Sequence, residues 1–143
     1  MEKLLISGCL IGNNTKYNGG NNYNPKIELL KEKYEFIVIC PEAEGGLPIP
    51  RDPSEISGDK VISCKGKDVT EEFTLGAKIA FERCKKEGCK KALLKEKSPS
   101  CGSRLIYDGT FTGTKVKGEG ITVRLLRSLD IEIYNEDEID KLL

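Results

Sequence analysis

The sequence predicts a three-layer, Rossmann-like α/β fold with a mainly parallel sheet of about four to five strands. Three observations carry that reading. Short apolar runs alternate with helical stretches along all 143 residues, and strands separated by helices form parallel sheets. One run, Phe36-Ile37-Val38-Ile39-Cys40, is apolar without a break, as in strands covered on both faces. The composition, 38% hydrophobic and 32% charged with 15 Gly, is that of a globular chain. No linker or internal repeat stands out, so residues 1–143 read as one domain.

The elements follow in order. Lys3 to Ser7 reads as a first strand ending at Cys9. Gly12 to Asn24 is polar and rich in Gly and Asn, with a turn signal at Asn18-Gly19, and is a loop. Pro25 suits the first turn of a short helix through Lys33. Glu35 to Ile39 is the second strand. Pro41 to Pro53 holds four prolines and Gly45-Gly46, and reads as irregular backbone.

A helix is predicted from about Val69 to Glu87. Asp68 and Glu71 make a capping-box pattern, and Gly88 is the stop signal. Phe73, Ala77, Ala80, Phe81 and Cys84 mark its apolar face. Lys91 to Lys95 is the third strand, and Ser98 to Gly113 a second long loop. A last helix, about Gly120 to Leu129, precedes a fourth strand, Ile131 to Tyr134, and a short acidic terminal helix.

Charge and cysteine usage exclude several functions. Lys plus Arg is 23 and Asp plus Glu is 23, a formal net charge of 0. Nucleic-acid binding by bulk electrostatics needs a surplus of cations, so no stable nucleic-acid complex is expected. No apolar run approaches the ~20 residues of a membrane span. The apolar stretch before Cys9 is too short for a signal peptide, and the 6 cysteines are spread rather than dense. A cytoplasmic protein with reduced thiols is expected. The chain has no His, which removes Ser–His and Cys–His nucleophiles, His metal ligands and any imidazole base. Proton transfer then falls to carboxylates, Lys, Tyr, Ser or water, and any metal to Cys or oxygen.

In an open parallel sheet, ligands bind beyond the carboxyl ends of the strands. Cys9 follows the first predicted strand, Cys40 ends the second, and Cys101 lies in the loop after the third. Three thiolates suit a soft metal, and a 4Fe–4S cubane on three cysteines keeps one iron open. Position alone leaves metal ligation and incidental thiols equally open. Cys84 and Cys89 read as buried small hydrophobes, and Cys64 lacks supporting context.

Glu42 and Glu96 lie beside these cysteines and are candidate bases, or solvated loop carboxylates. Ser98 and Ser100 are candidate donors to substrate, or turn residues. Arg51 and Asp108 stand as ligand-orienting residues or surface ion-pair members. Gly19-Gly20 and Gly45-Gly46 are candidate anion cradles that fit no nucleotide-binding pattern.

At these residues the sequence resembles the thiouracil desulfidase (TudS) family, formerly a domain of unknown function. The resemblance rests on Cys9-Leu10, Tyr17-Asn18-Gly19-Gly20, Cys40-Pro41-Glu42 with Gly45-Gly46-Leu47-Pro48 and Pro50-Arg51, and Asp68-Val69-Thr70-Glu71-Glu72-Phe73. It continues through Lys95-Glu96-Lys97-Ser98-Pro99-Ser100-Cys101-Gly102 and Tyr107-Asp108-Gly109-Thr110-Phe111, and so spans nearly the whole chain in order.

The resemblance implies a 4Fe–4S cluster on Cys9, Cys40 and Cys101, with one iron not bound by protein. It implies non-redox, hydrolytic removal of sulfur from a small thiolated nucleobase, 4-thiouracil or a relative. The substrate sulfur binds the open iron. Water activated by Glu42 attacks the thiocarbonyl carbon, assisted by Ser98 or Ser100 with Ser98 favoured, and sulfur leaves as sulfide. Two other readings compete. One is a non-catalytic metal-binding module completed by Cys64 or Glu42, and the other a sulfur-transfer enzyme for tRNA thiolation.

Overall fold

A computed structural model describes residues 1–143. Four strands form one parallel sheet: β1 (Glu2–Ser7), β2 (Tyr34–Ile39), β5 (Lys91–Leu94) and β8 (Glu132–Asn135), in the order β2-β1-β5-β8. β1 runs in register with β2 from Glu2↔Tyr34 to Ser7↔Ile39, and with β5 at Leu5↔Ala92. β8 closes the other edge, with Ala92 facing Ile133.

Alternation along β1 builds the three layers. Leu5 packs with Ala80, Cys84, Leu94, Val123 and Leu126, under α3 (Thr70–Glu87) and α4 (Ile121–Leu126). Leu4 and Ile6 face the opposite way and pack with Ile27 and Leu30 of α1 (Ile27–Leu30). Ile139 and Leu142 of the terminal 3-10 segment (Glu136–Leu142) join them. The chain thus adopts the three-layer Rossmann-like arrangement expected of it.

The structure adds elements that the sequence reading leaves as loop. Pro41 begins a single helical turn, α2 (Pro41–Glu44), where its fixed φ and missing N–H suit the first position. β3 (Ser54–Ser57) and β4 (Lys60–Ser63) form one antiparallel hairpin, and β6 (Leu105–Tyr107) and β7 (Lys115–Lys117) a second. Ile56, Val61 and Ile106 from the hairpins pack on Val69 and Phe73. This third apolar cluster fastens both hairpins to the start of α3.

The start of α3 also differs from the expected capping box. Val69 is the N-cap residue, and Asp68 accepts a bond from the Thr70 N–H at 2.9 Å. Gly88 does end the helix, at φ 70. The predicted last helix ends earlier as α-helix, at Leu126, and continues as a 3-10 turn to Leu129.

Backbone-to-backbone approaches position the loops beyond the sheet. A Cβ on Gly76 of α3 would overlap the Pro41 carbonyl, and one on Gly45 the Glu72 carbonyl. Gly45 thus serves helix packing rather than anion binding. A Cβ on Gly120 would overlap the Ser100 carbonyl in the same way. Gly76→Ala should therefore push the Cys40–Pro41 turn off α3. Overpacking against backbone at roughly 3 kcal/mol predicts a Tm lower by about 10 °C. Thermal unfolding followed by circular dichroism checks this, and an unchanged Tm would contradict the packing described.

Candidate active site

β1 lies between β2 and β5, so the chain leaves these neighbouring strands in opposite directions and opens a crevice at their carboxyl ends. A cavity of about 470 Å³ sits there, within the size range of small-molecule sites. Cys9, Cys40 and Cys101 all line it, together with Glu42, Arg51 and Ser98.

Each cysteine sits in a different local setting. Cys9 lies in the 3-10 turn Gly8–Ile11 directly after β1, and its Sγ accepts from Asn22 Nδ2 at 3.5 Å. Cys40 joins β2 to α2; its N–H donates to Glu44 Oε1 at 2.8 Å and its Sγ lies 3.8 Å from the Thr15 carbonyl. Cys101 is buried, and its N–H donates to Ser98 Oγ at 3.1 Å. Burial raises the Cys9 thiol pKa, against the lowering effect of the Asn22 contact. Burial also pushes the Cys101 thiol well up, reinforced by the nearby Glu42 carboxylate. Neutral thiols are favoured here until a cation takes the thiolates.

Glu42 is gripped from two sides. Arg51 Nε donates to its Oε1 at 3.2 Å, and Ser98 Oγ donates to its Oε2 at 3.2 Å. The Arg51 side chain is itself 6% exposed and donates to the Thr15 carbonyl at 2.8 Å. This settles Arg51 as a buried clamp on Glu42 rather than a surface ion pair. An ionised carboxylate offers about four lone-pair sites. These two contacts therefore leave Glu42 able to hold a water.

Glu96 has a different task. Its Oε1 accepts from the N–H groups of Lys97, Ser103, Arg104 and Leu105 at 3.1, 2.9, 3.2 and 3.3 Å. Its Oε2 accepts from Asn135 Nδ2 at 2.7 Å. Burial alone would raise this carboxyl, but the backbone N–H groups and Asn135 outweigh it and hold the pKa below its ordinary 4.5. Glu96 is thus a buried anion that shapes the Cys101 loop, and no free base.

The two serines separate. Ser98 lines the cavity, and its Oγ also accepts from the Ser100 and Cys101 N–H groups at 3.0 and 3.1 Å. Ser100 is 0% exposed and its Oγ pairs with Thr122 Oγ1 at 2.8 Å, which ties the loop to α4. As a candidate donor to substrate Ser100 is corrected: its hydroxyl is spent inside the core. Asp108 also departs from its ligand-orienting alternative, since its carboxylate closes a turn on Thr110.

Cys84 and Cys89 are buried as expected, with Cys84 Sγ 3.7 Å from the Cys89 carbonyl. Cys64 is exposed and is not among the cavity residues, so the fourth ligand it was a candidate for is not supplied there. No three Cys, Asp or Glu side chains converge tightly enough for one metal ion. Three separate thiols around one cavity fit a polynuclear cluster, whose irons bind one cysteine each, better than a single zinc.

Several lining residues carry no sequence signal of their own. Glu55, on the short strand β3, faces the cavity among serines and an isoleucine. Tyr107 and Phe111 line it from the second hairpin, and Lys16, Lys95 and Lys97 bring positive charge. Lys97 (φ 69) and Phe111 (φ 57) are in the left-handed region, strained for side chains of their kind.

The Glu96 anion carries a pH signature. A carboxyl lowered by folding stabilises fully above its ordinary 4.5, and that stability is lost as pH falls through the folded value. Glu96→Gln keeps an acceptor, loses the charge and turns an amide toward Asn135. Its stability should be lower by on the order of 2 kcal/mol at pH 7, and the gap should close below about pH 4.5. Denaturant unfolding of both proteins across pH 3–7 measures it; a gap that ignores pH contradicts the assignment.

Comparison with known proteins points to one family. A sequence profile described as 2-thiouracil desulfurase matches residues 4–138. A Bacillus subtilis (strain 168) protein, YbbK, described as uncharacterized, is 37% identical over 150 residues, covering 98% of this chain and 99% of its own. A solved structure, the [4Fe-4S]-dependent thiouracil desulfidase TudS, superposes with a TM-score of 0.93 at 42% identity, covering 99% of this chain and 95% of that one. By sequence profile and by its 42% identical solved neighbour, the chain belongs to the 2-thiouracil desulfurase family.

Proposed function

We propose that the protein is a [4Fe–4S]-dependent desulfidase that removes sulfur from a small thiolated uracil. The observation that carries the reading is the single cavity lined by Cys9, Cys40 and Cys101 with the clamped carboxylate of Glu42 among them. The three cysteines would hold the cluster. A cluster held by three thiolates supplies one iron free of protein ligands, a soft Lewis acid suited to a thiocarbonyl sulfur.

This chain's own residues do the rest. The cavity holds the flat base between its loops, and Glu42 holds a water against the thiocarbonyl carbon. As the water oxygen bonds to that carbon, its proton passes to Glu42 Oε2. The Arg51 guanidinium favours negative charge on Oε1, so the neutral Ser98 hydroxyl at Oε2 is the partner that gives way. Ser98 positions Glu42, and through the Cys101 N–H it couples the carboxylate to the cysteine loop. The carbon–sulfur bond then breaks and the electron pair leaves with sulfur; the second water proton leaves the new carbonyl oxygen, Glu42 gives up the first, and the products are the oxo base and hydrogen sulfide. No electron is gained or lost, so no redox partner is needed.

Anaerobically prepared protein should carry about four iron and four acid-labile sulfide per chain, and Cys101→Ala should lose them. The loaded wild type should release sulfide from 4-thiouracil. Glu42→Gln should keep the iron and lose about 10²- to 10⁴-fold in kcat. Loaded protein that releases no sulfide from any thiouracil would overturn the proposal.

A further inference from the structure

The mechanism above uses one wall of the cavity. The opposite wall comes from the two hairpins, and it holds a buried carboxylate with no assigned task. Glu55 is 9% exposed and lines the cavity. Its Oε1 accepts from the Gly109 N–H at 3.0 Å and the Phe111 N–H at 3.2 Å. Its Oε2 has no partner in the protein, and none of the cavity's cations forms an ion pair with it.

A carboxyl oxygen left open at the cavity lining is an acceptor that the N–H of a bound ring can use, and closure of the ring over it shuts out the water that otherwise serves it. The same carboxylate fixes the Phe111 backbone at φ 57, on a turn where a Cβ on Gly109 (φ 94) would crowd the Ile56 carbonyl. Strain of this kind persists where surrounding structure demands it, and it marks functional sites. Here it sets an aromatic side chain on the cavity lining next to the free oxygen. An apolar face and one acceptor are what a flat ring with an in-plane N–H requires.

We infer that Glu55 selects the substrate by its ring N–H: Oε2 accepts from a lactam or thiolactam N–H while Phe111 covers the ring face. This rests on the thiolated-uracil reading for the identity of the ring. An acceptor-only carboxylate favours bases that carry N–H in the ring plane. It disfavours N-substituted bases, because they cover that oxygen without offering it a donor.

Uracil carries the same N–H groups with no sulfur to lose, so binding is separable from chemistry. Calorimetry on the cluster-loaded protein should show uracil bound at least 10-fold more tightly than 1,3-dimethyluracil, which has no N–H. Glu55→Gln keeps an oxygen for the Gly109 and Phe111 N–H groups and places an amide donor at the free position. Its preference between the two ligands should fall toward parity, and its kcat/KM on 4-thiouracil should drop about 10- to 100-fold at unchanged iron content.

Equal binding of the two ligands by the wild type overturns the inference whatever the variant does. So does a preference that survives intact in Glu55→Gln, since methyl bulk alone would then explain it. A preference lost in Glu55→Gln, in a protein that releases no sulfide, would support Glu55 and overturn the desulfidase reading alone.

Discussion

The site depends first on one buried carboxylate at the end of β5. Glu96 draws the N–H groups of Lys97, Ser103, Arg104 and Leu105 onto a single oxygen. A chain segment of this length without regular structure would otherwise leave those donors unsatisfied near the core. Gathering them on one anion folds the segment into a compact loop and sets the direction in which Ser98 and Cys101 emerge. Asn135 on the other oxygen locks the loop to β8, and Lys95 adds an ion pair to Glu136 at 2.9 Å. The loop is thus fixed from the sheet side before anything enters the cavity.

The Cys40 turn and the second hairpin use the same kinds of fastening. Glu44 receives the Cys40 N–H, while Gly45 and Gly76 let α2 sit directly on α3. Glu55 receives two N–H groups of the second hairpin. Three glutamates therefore act as acceptors for backbone donors around one cavity. This leaves Glu42, whose contacts are with side chains only, and Glu55, whose Oε2 is unpartnered, as the carboxylates with spare capacity toward a water or a ligand. The division of labour suits a chain without His, since each carboxylate's role is set by what it already binds.

How much of this the sequence makes legible follows from the range of the interactions. The central strands β1 and β5 are short apolar runs, mostly buried, and the edge strands β2 and β8 keep apolar stretches at Phe36–Ile39 and Ile133-Tyr134, a local signal; the cysteines at the strand ends follow from parallel topology. The hairpins are hidden because β3 is Ser-Glu-Ile-Ser and β7 is Lys-Val-Lys: β3 is held through Ile56 packing on Phe73, and the exposed β7 only by its pairing with β6, rather than by pattern. Glu96 and Glu42 look alike in the sequence, and only their partners, as far as 56 residues away, tell a backbone clasp from a carboxylate facing the cavity. Ser98 and Ser100 are two residues apart and point to opposite sides of their turn. Nothing in Ser-Pro-Ser fixes which faces the cavity.

The same fastenings bear on how cofactor and fold are related. In small zinc domains the metal supplies the folding energy, because no core exists without it. Here apolar clusters on both faces of the sheet and a third beneath the hairpins bury the chain, with Cys101 inside the first and Cys9 only at the margin of the second. The thiols of Cys9 and Cys101 are pushed toward their neutral forms, so iron must displace protons to bind. What the protein contributes is position: carboxylate clasps and glycine contacts hold the loops that carry the three thiols at separate points of one cavity. Thiols on separate loops of one cavity, with no three ligands gathered for a single ion, suit the polynuclear cluster proposed above, so cofactor and loop placement are argued from the same geometry.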